Sequence, residues 1–531
     1  MNQALAVLKR RLSRLSQSER AQALRGNLFG LEKEGLRVSP AGTIAATPHP
    51  SALGAALAHP YITPDFSEAL LELITPPTPR VGETLAWLAD LHGFVYRHLG
   101  TEILWATSMP CIIEGARGIP LALYGSSNAA RMKTAYRRGL GNRYGRTMQA
   151  IAGVHFNFSF GDDFWSLYQD LEEDAADPMA FRSEAYMGMI RNLQRFGWLI
   201  PYLFGASPAV CRSFVQGRDT ELSAFDATTL YGPFATSLRM GDIGYQNRQT
   251  EGTGMKASYD SLDSYIRSLT WAIETPCPNY ENIGVKVGDR YEQLNANVLQ
   301  IENEYYSTIR PKQITQWLEK PTLALRRRGV RYVELRSLDV SVFHPLGVAE
   351  EQLHFLEVFM LWSLLLESPR INARERQAID RNQVQAAHRG REPGLDLDRN
   401  GTAVGLCTWA AALLETMEPV AGLLDGLRGG ACGASLRVQR EKVSDPDLTP
   451  SARMLAEMRA SGEGFHAYAR RMSEQHAQCW RSHVLDPARE RELTDLVGTS
   501  RRRQAEIEAA DDVDFDTFLA RYFAQGAGAP G

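Results

Sequence analysis

Several carboxylates in this chain sit in short apolar segments at a spacing that suits joint chemistry. In Phe29-Gly-Leu-Glu-Lys-Glu34, Glu32 and Glu34 are two residues apart, so an extended strand puts them on one face. The same arithmetic aligns Glu334 with Arg336 in Tyr332-Val-Glu-Leu-Arg-Ser337. It also aligns His155 with Asn157 in Gly153-Val-His-Phe-Asn-Phe-Ser-Phe160, opposite Val154, Phe156, Phe158 and Phe160. Asp65 and Glu72 frame Asp65-Phe-Ser-Glu-Ala-Leu-Leu-Glu-Leu73, whose apolar flanks argue against a freely solvated Glu72, and Glu302, Glu304 and Tyr306 align in a similar way. For any one segment, an amphipathic strand with a wet outer face accounts for the pattern. Several strands with the same peculiarity point to a shared site.

Converging carboxylates repel one another, and burial adds to the effect, so they take up protons unless a cation neutralises them. Oxygen donors with a single His favour hard Mg²⁺, or Mn²⁺, over Zn²⁺. Mg²⁺ in such a site commonly accompanies phosphate, and Arg239, Arg310, Arg336, Arg137 and Lys133 stand in or beside the same kinds of segment, although each taken singly reads as a surface charge. There is no Walker A sequence. Gly252-Thr-Gly-Met-Lys256 lacks its spacing and the following Ser or Thr, and reads as a flexible turn. Zincin, serine-hydrolase and dinucleotide motifs are missing too.

The elements that must position these residues change character along the chain. From about 30 to 342, short alternating or apolar runs bounded by Gly, Pro and Asn are interspersed with helical patterns, and from Ala349 onward the periodicity is almost entirely helical. This predicts an α+β fold, a mostly antiparallel sheet followed by helices. We expect one domain over 1–525, with a strand-rich core over about 28–345, a helical region over about 349–524 and a disordered tail over 526–531.

With 531 residues, the chain is long enough for a large elaborated domain that can bury charge. Lys+Arg 58 against Asp+Glu 62 gives a net charge of -4 and argues against nucleic acid as a main partner. Six scattered cysteines without a C-x-x-C pair suggest reduced thiols in a cytoplasmic enzyme. Lys9, Arg10, Arg11 and Arg14 mark an amphipathic helix rather than a secretory signal. The apolar run Phe355 to Leu366, interrupted by Glu357, is too short to cross a bilayer and predicts a core helix.

The segments resemble the glutamate-cysteine ligases of proteobacteria, of the type found in enteric bacteria, from about Gly30 to the late C-terminal region. The anchors are Gly30-Leu-Glu-Lys-Glu34, Thr63-Pro-Asp-Phe-Ser-Glu-Ala-Leu-Leu-Glu72, Ser108-Met-Pro-Cys111, Gly153-Val-His-Phe-Asn157, Phe196 to Pro208, and Tyr332-Val-Glu-Leu-Arg-Ser-Leu-Asp339. The resemblance implies a glutamine-synthetase-like core, in which a curved antiparallel sheet forms a funnel with ATP at one end and amino acids at the other. It implies that Glu32, Glu34, Asp65, Glu72, His155 and Glu334 surround magnesium and that Arg336 meets the nucleotide phosphates. By the same resemblance Asn157 and Arg239 hold glutamate, and Phe66, Tyr136, Tyr245 and Tyr306 shape the cysteine pocket; ordinary core packing is the alternative for these aromatics. ATP, L-glutamate and L-cysteine are the implied substrates, glutathione the implied feedback inhibitor, and a monomer the expected state. Glu334, Arg336 and Asp65 are the catalytic candidates, with Asp65 as the base; Cys111 reads as structural or redox-sensitive rather than nucleophilic. The chain departs from the family at Lys33, where the family carries arginine, and over Gln249 to Ser261, which is longer. Sequence alone leaves open a ligase using another amine, a phosphotransferase with a stable product, or a silent sensor.

Overall fold

Seven segments rich in apolar residues pair into one antiparallel sheet. In chain order they are β1 (Leu28–Val38), β2 (Ile62–Pro64), β3 (Leu70–Ile74), β4 (Ile103–Leu104), β5 (Val154–Ser159), β6 (Ile309–Lys312) and β7 (Tyr332–Leu338). The computed structural model describes residues 2–215, 219–244 and 255–526. Strand order is β6-β7-β5-β1-β3-β2, and β4 also pairs with β1. The eleven-residue β1 is the spine, because its length lets it pair with β5, β3 and β4.

Period-two alternation gives the sheet two unlike faces. Phe29, Leu31, Val154, Phe156, Phe158, Val333 and Leu335 are buried on the back and join the main core. Helix α1 (Asn2–Leu15) contributes Leu8 and Leu15 to that core, and α2 (Val81–Tyr96) packs on β1 and β3. Over the other face lies α3 (Asn128–Tyr144), where Ser127 caps the N-terminus by accepting from Ala130 N. Gly145 ends α3 at φ +84, a conformation that a side chain disfavours.

Helix α4 (Pro178–Arg195) packs against α5 (Glu350–Leu365), and α5 against α6 (Leu406–Arg428) and α7 (Ala431–Ser444). Every residue of α5 from Gln352 to Leu365 is buried, as the apolar run predicts. Its Glu357 is tolerated there because Arg428 and Asn27 both donate to the carboxylate. A last helix, α8 (Phe515–Phe523), returns to pack on α3.

Two expectations need correction or restriction. Glu302, Glu304 and Tyr306 do not share a strand face, because Glu302–Glu304 forms a 3₁₀ turn that sends both carboxylates inward. Glu304 meets Arg143 at 2.8 Å and Glu302 accepts from Thr322 Oγ1 at 2.6 Å, so both carboxylates find partners in the interior. Tyr245, most of the Gly252 to Lys256 turn and residues 527–531 lie outside the described residues.

Candidate active site

Register brings the charged faces together. Glu32 on β1 stands opposite His155 on β5, and Glu34 stands opposite Glu72 on β3. Glu334 on β7 is flanked by Asn157 on β5 and Arg310 on β6. Neighbouring strands of one antiparallel sheet place such pairs about 4.5–5.5 Å apart at the Cβ atoms, close enough for one ion or phosphate to touch several of them. Helix α3 supplies the opposite wall. Lys133, Tyr136, Arg137 and Leu140 recur at three- and four-residue spacing, so one face of the helix presents all four to the same cavity of about 440 Å³.

His155 is the hub of the acidic group. Its Nδ1 lies 3.0 Å from Glu32 Oε2 and 4.0 Å from Glu334 Oε1, and its Nε2 lies 3.8 Å from Glu34 Oε1. Asn157 Nδ2 donates to Glu32 Oε1 at 2.8 Å and fixes the carboxylate's rotation. One ligand atom each from Glu32, Glu72 and His155 falls within 4.8 Å of the others. Asp65 faces the same cavity and pairs with Arg137 at 3.3 Å.

The carboxylates do not titrate alike, and their neighbours explain the difference. Burial, with repulsion from Glu32, Asp65 and Glu34, pushes Glu72 well above the usual carboxylate range. Burial also raises Glu34, against the attraction of His155. Glu334 is buried as deeply, yet Lys312, Arg336 and Arg310 hold it well below that range. For Glu32, burial and Glu334 push upward, but the hydrogen bond and charge of His155 prevail and the group sits low. The acidic cluster is therefore shifted down at Glu334, beside the cations of β6 and β7, and shifted up at Glu72 on β3.

That division suits a divalent cation. The donors are hard oxygens with one imidazole, and burial and mutual repulsion raise Glu34 and Glu72 in the direction that a bound cation would oppose. Glu334 Oε2 and Asn157 Oδ1 are buried without a hydrogen-bond partner, so the site has acceptor capacity left over. The cationic edge is equally built. Arg336 Nη1 and Lys312 Nζ each lie 3.1 Å from Glu334 Oε1.

Arg239, 3% exposed, is set behind this edge. Its Nη2 donates to Arg336 O at 2.8 Å, and its Nη1 lies 3.8 Å from Asp339 Oδ1. Asp339 is itself held by Ala206 N, Ser207 Oγ and Ser237 Oγ. Arg239 fits only because residue 153 is glycine: a Cβ there would stand 2.1 Å from Nη2. Gly153 N also donates to Glu34 Oε2 at 2.6 Å, so one residue touches both the acidic and the cationic groups.

Phe66 lines the main cavity, and Tyr136 and Tyr306 line an adjoining space of about 50 Å³. Of the residues singled out in the sequence, Glu32, Glu34, Asp65, Glu72, His155, Glu334, Arg336, Phe66 and Tyr136 all border the main cavity. Asn157 and Arg239 lie just behind it, bonded to Glu32 and Arg336. Lys312 and Asp339 were not singled out as site residues. Alternation in Ile309-Arg-Pro-Lys312 puts Lys312 on the face of Arg310, a signal that was available; Asp339 lies past the end of β7, where alternation is silent. Cys111 is fully buried and burial pushes its thiol up, which disfavours the thiolate.

A family model described as glutamate-cysteine ligase matches residues 12–386. The chain is 46% identical over 522 residues to the glutamate-cysteine ligase of Alcanivorax borkumensis, covering 97% of this chain and 99% of that protein. It is 47% identical over 517 residues to that of Pseudomonas paraeruginosa, covering 97% and 98%. Among solved structures it is similar to a Francisella tularensis glutamate-cysteine ligase in complex with AMP, with a TM-score of 0.89, 35% identity and coverage of 95% and 98%. A Pasteurella multocida bifunctional glutathione synthetase shares the fold, with a TM-score of 0.68, 22% identity and coverage of 92% and 57%.

Proposed function

Because the chain belongs to the glutamate-cysteine ligase family, we propose that it joins the γ-carboxylate of L-glutamate to the amine of L-cysteine at the expense of ATP, the first step of glutathione synthesis. The observation that carries the reading is one cavity with an acidic floor of Glu32, Glu34, Asp65, Glu72 and Glu334 and a cationic edge of Arg336 and Lys312. Such a floor and edge suit a metal-bound triphosphate beside an amino acid.

Glu32, Glu34, Asp65, Glu72, His155 and Glu334 would hold Mg²⁺, or Mn²⁺ in its place. When bound, the ion neutralises triphosphate charge and draws electron density from the transferred phosphoryl group. Arg336 and Lys312 supply fixed positive charge for the phosphate oxygens, already oriented by Glu334. Asn157 and Arg239 hold glutamate so that a γ-carboxylate oxygen meets the γ-phosphorus in line; the new P–O bond forms as the β–γ bridge breaks, giving γ-glutamyl phosphate and ADP. Phe66, Tyr136 and Tyr306 wall the cysteine site. The cysteine nitrogen attacks the acyl carbon, phosphate leaves, and Asp65 accepts the amine's proton.

We read the chain as a single-domain cytoplasmic monomer that glutathione inhibits by occupying the amino-acid end of the cavity. In support, one apolar core draws on both the strand-rich part and the C-terminal helices, and no helix among the described residues is long and apolar enough to cross a membrane.

The test is ADP release with ATP, Mg²⁺ and glutamate, with cysteine present or omitted, while mass spectrometry follows γ-glutamylcysteine. Cysteine-dependent ADP with stoichiometric dipeptide is expected. ADP without dipeptide would move the reading to another amine or to a phosphotransferase. Asp65→Asn with full turnover and full metal affinity would remove Asp65 as the base.

A further inference from the structure

The cavity has a second character, away from its charged floor. Leu57, Met132, Ile301 and Leu318 make part of its lining apolar, and Trp317 joins them with 53% of its surface exposed. Trp317 lies on the segment between β6 and the helix Pro321–Arg328, five residues beyond Lys312 of the cationic edge. Trp317 thus offers accessible aromatic surface within the lining of the cavity.

The backbone beside it is strained and braced. Leu318 adopts φ +60, a left-handed conformation that costs about 1 kcal/mol or more for a side chain of this kind. The C-terminal segment holds it there: Gln525 Nε2 donates to Leu318 O at 2.9 Å, and Lys320 Nζ donates to Phe523 O at 2.7 Å. Leu318 packs on the cluster of Ala56, Leu57 and Tyr124, and on the other flank Arg328 pairs with Glu319. These contacts anchor Leu318 in apolar packing beside Trp317, which lines the cavity. Strain kept in place by several independent contacts marks a segment whose conformation is used.

The geometry points to Trp317 as the stacking platform for the nucleobase of the nucleoside triphosphate, an inference that rests on the ligase reading and extends it to the other end of the nucleotide. A ligand that fits this cavity must be polyanionic where Lys312, Arg336 and the metal-binding carboxylates lie, and flat and apolar where Trp317 and Leu318 lie. A purine nucleoside triphosphate has that division, and an amino acid does not. Stacking on one exposed aromatic face is tolerant of the base's hydrogen-bonding edge, so the platform contributes affinity more than base selectivity.

The experiment compares the full-length protein with Trp317→Ala and Trp317→Phe, using Mg·ADP and inorganic tripolyphosphate as calorimetric probes. Loss of one stacked base is expected to weaken Mg·ADP about tenfold in Trp317→Ala. Trp317→Phe keeps a ring and stays within about threefold. Tripolyphosphate, which has no base, binds all three proteins alike. In turnover, the KM for ATP rises in Trp317→Ala while kcat and the KM for glutamate hold. Wild-type affinity for Mg·ADP in Trp317→Ala would overturn the platform, as would an equal loss of tripolyphosphate, which would mean that the segment positions the phosphate site. A wild-type protein that forms no nucleotide-dependent dipeptide would remove the ligase reading and the platform with it; dipeptide formation with an unmoved ATP KM would remove the platform alone.

Discussion

Adding a single methyl group at Gly153 should disable the glutamate end of the site and spare the fold. A Cβ built there stands 2.1 Å from Arg239 Nη2, 2.7 Å from Cζ and 2.9 Å from Nε, where ordinary contact begins near 3.4 Å. The guanidinium must therefore retreat by about 1.3 Å, well beyond what a soft contact absorbs. A retreat of that size takes Nη2 from the position in which it donates to Arg336 O at 2.8 Å. If Arg239 holds the substrate carboxylate, the loss of one charged hydrogen bond amounts to about 2 kcal/mol, or roughly thirtyfold in the KM for glutamate. Initial-rate kinetics on Gly153→Ala should show that rise with the ATP KM within about twofold of wild type. Because Gly153 N also donates to Glu34, the methyl could act through the acidic cluster instead. A double-mutant cycle decides: on an Arg239→Ala background, Gly153→Ala should add little to the glutamate KM. A folded Gly153→Ala enzyme with wild-type glutamate KM, or full additivity in the cycle, would refute the reasoning.

Two further perturbations read the electrostatics. Glu34 and Glu72 are both raised without a cation, so Mn²⁺ binding should release protons, and affinity should climb as pH rises. Calorimetry in two buffers of different ionisation enthalpy measures that release; zero release in wild type, or undiminished release in Glu72→Gln, would sink the assignment. Lys33, on the back of β1 and 3% exposed, has its pKa brought down to about 8 by burial, against the attraction of Glu34. The unfolded chain then binds more protons than the folded one between about pH 8 and 10.4, so stability rises with pH across that window. The gain is on the order of 3 kcal/mol, and the burial penalty is present in full below pH 8. Lys33→Met should be more stable than wild type at pH 7 and should lose this part of the slope, as measured by urea unfolding at pH 7 and pH 10; an unchanged difference between the two pH values would count against it.

Much of the site is legible along the chain because strand alternation is a local rule. Glu32 with Glu34, His155 with Asn157, and Glu334 with Arg336 each share a face for reasons contained in a few residues, and the family motifs tie those segments to metal and phosphate. The buried helix α5 is legible for the same reason, since an apolar run of its length has no solvent-facing side. What alternation cannot supply is register. That Glu32 stands against His155 and Glu34 against Glu72 depends on how three strands separated by tens of residues slide past one another. The split between a low Glu334 and a high Glu72 follows from that placement, because Lys312, Arg336 and Arg310 surround Glu334 while the neighbours of Glu72 are mostly carboxylates. Glu304 shows the reverse error: its spacing imitates a strand face, but the buried Arg143 of α3 draws it away into a 3₁₀ turn. Asp339, the glycine under Arg239 and the ring of Trp317 acquire meaning only from contacts between distant segments. The sequence by itself determined which faces are charged and that a cation must neutralise them, since alternation and repulsion act at short range. Only the tertiary structure decided which charges meet, because that depends on strand register and on close approaches between segments far apart in the chain.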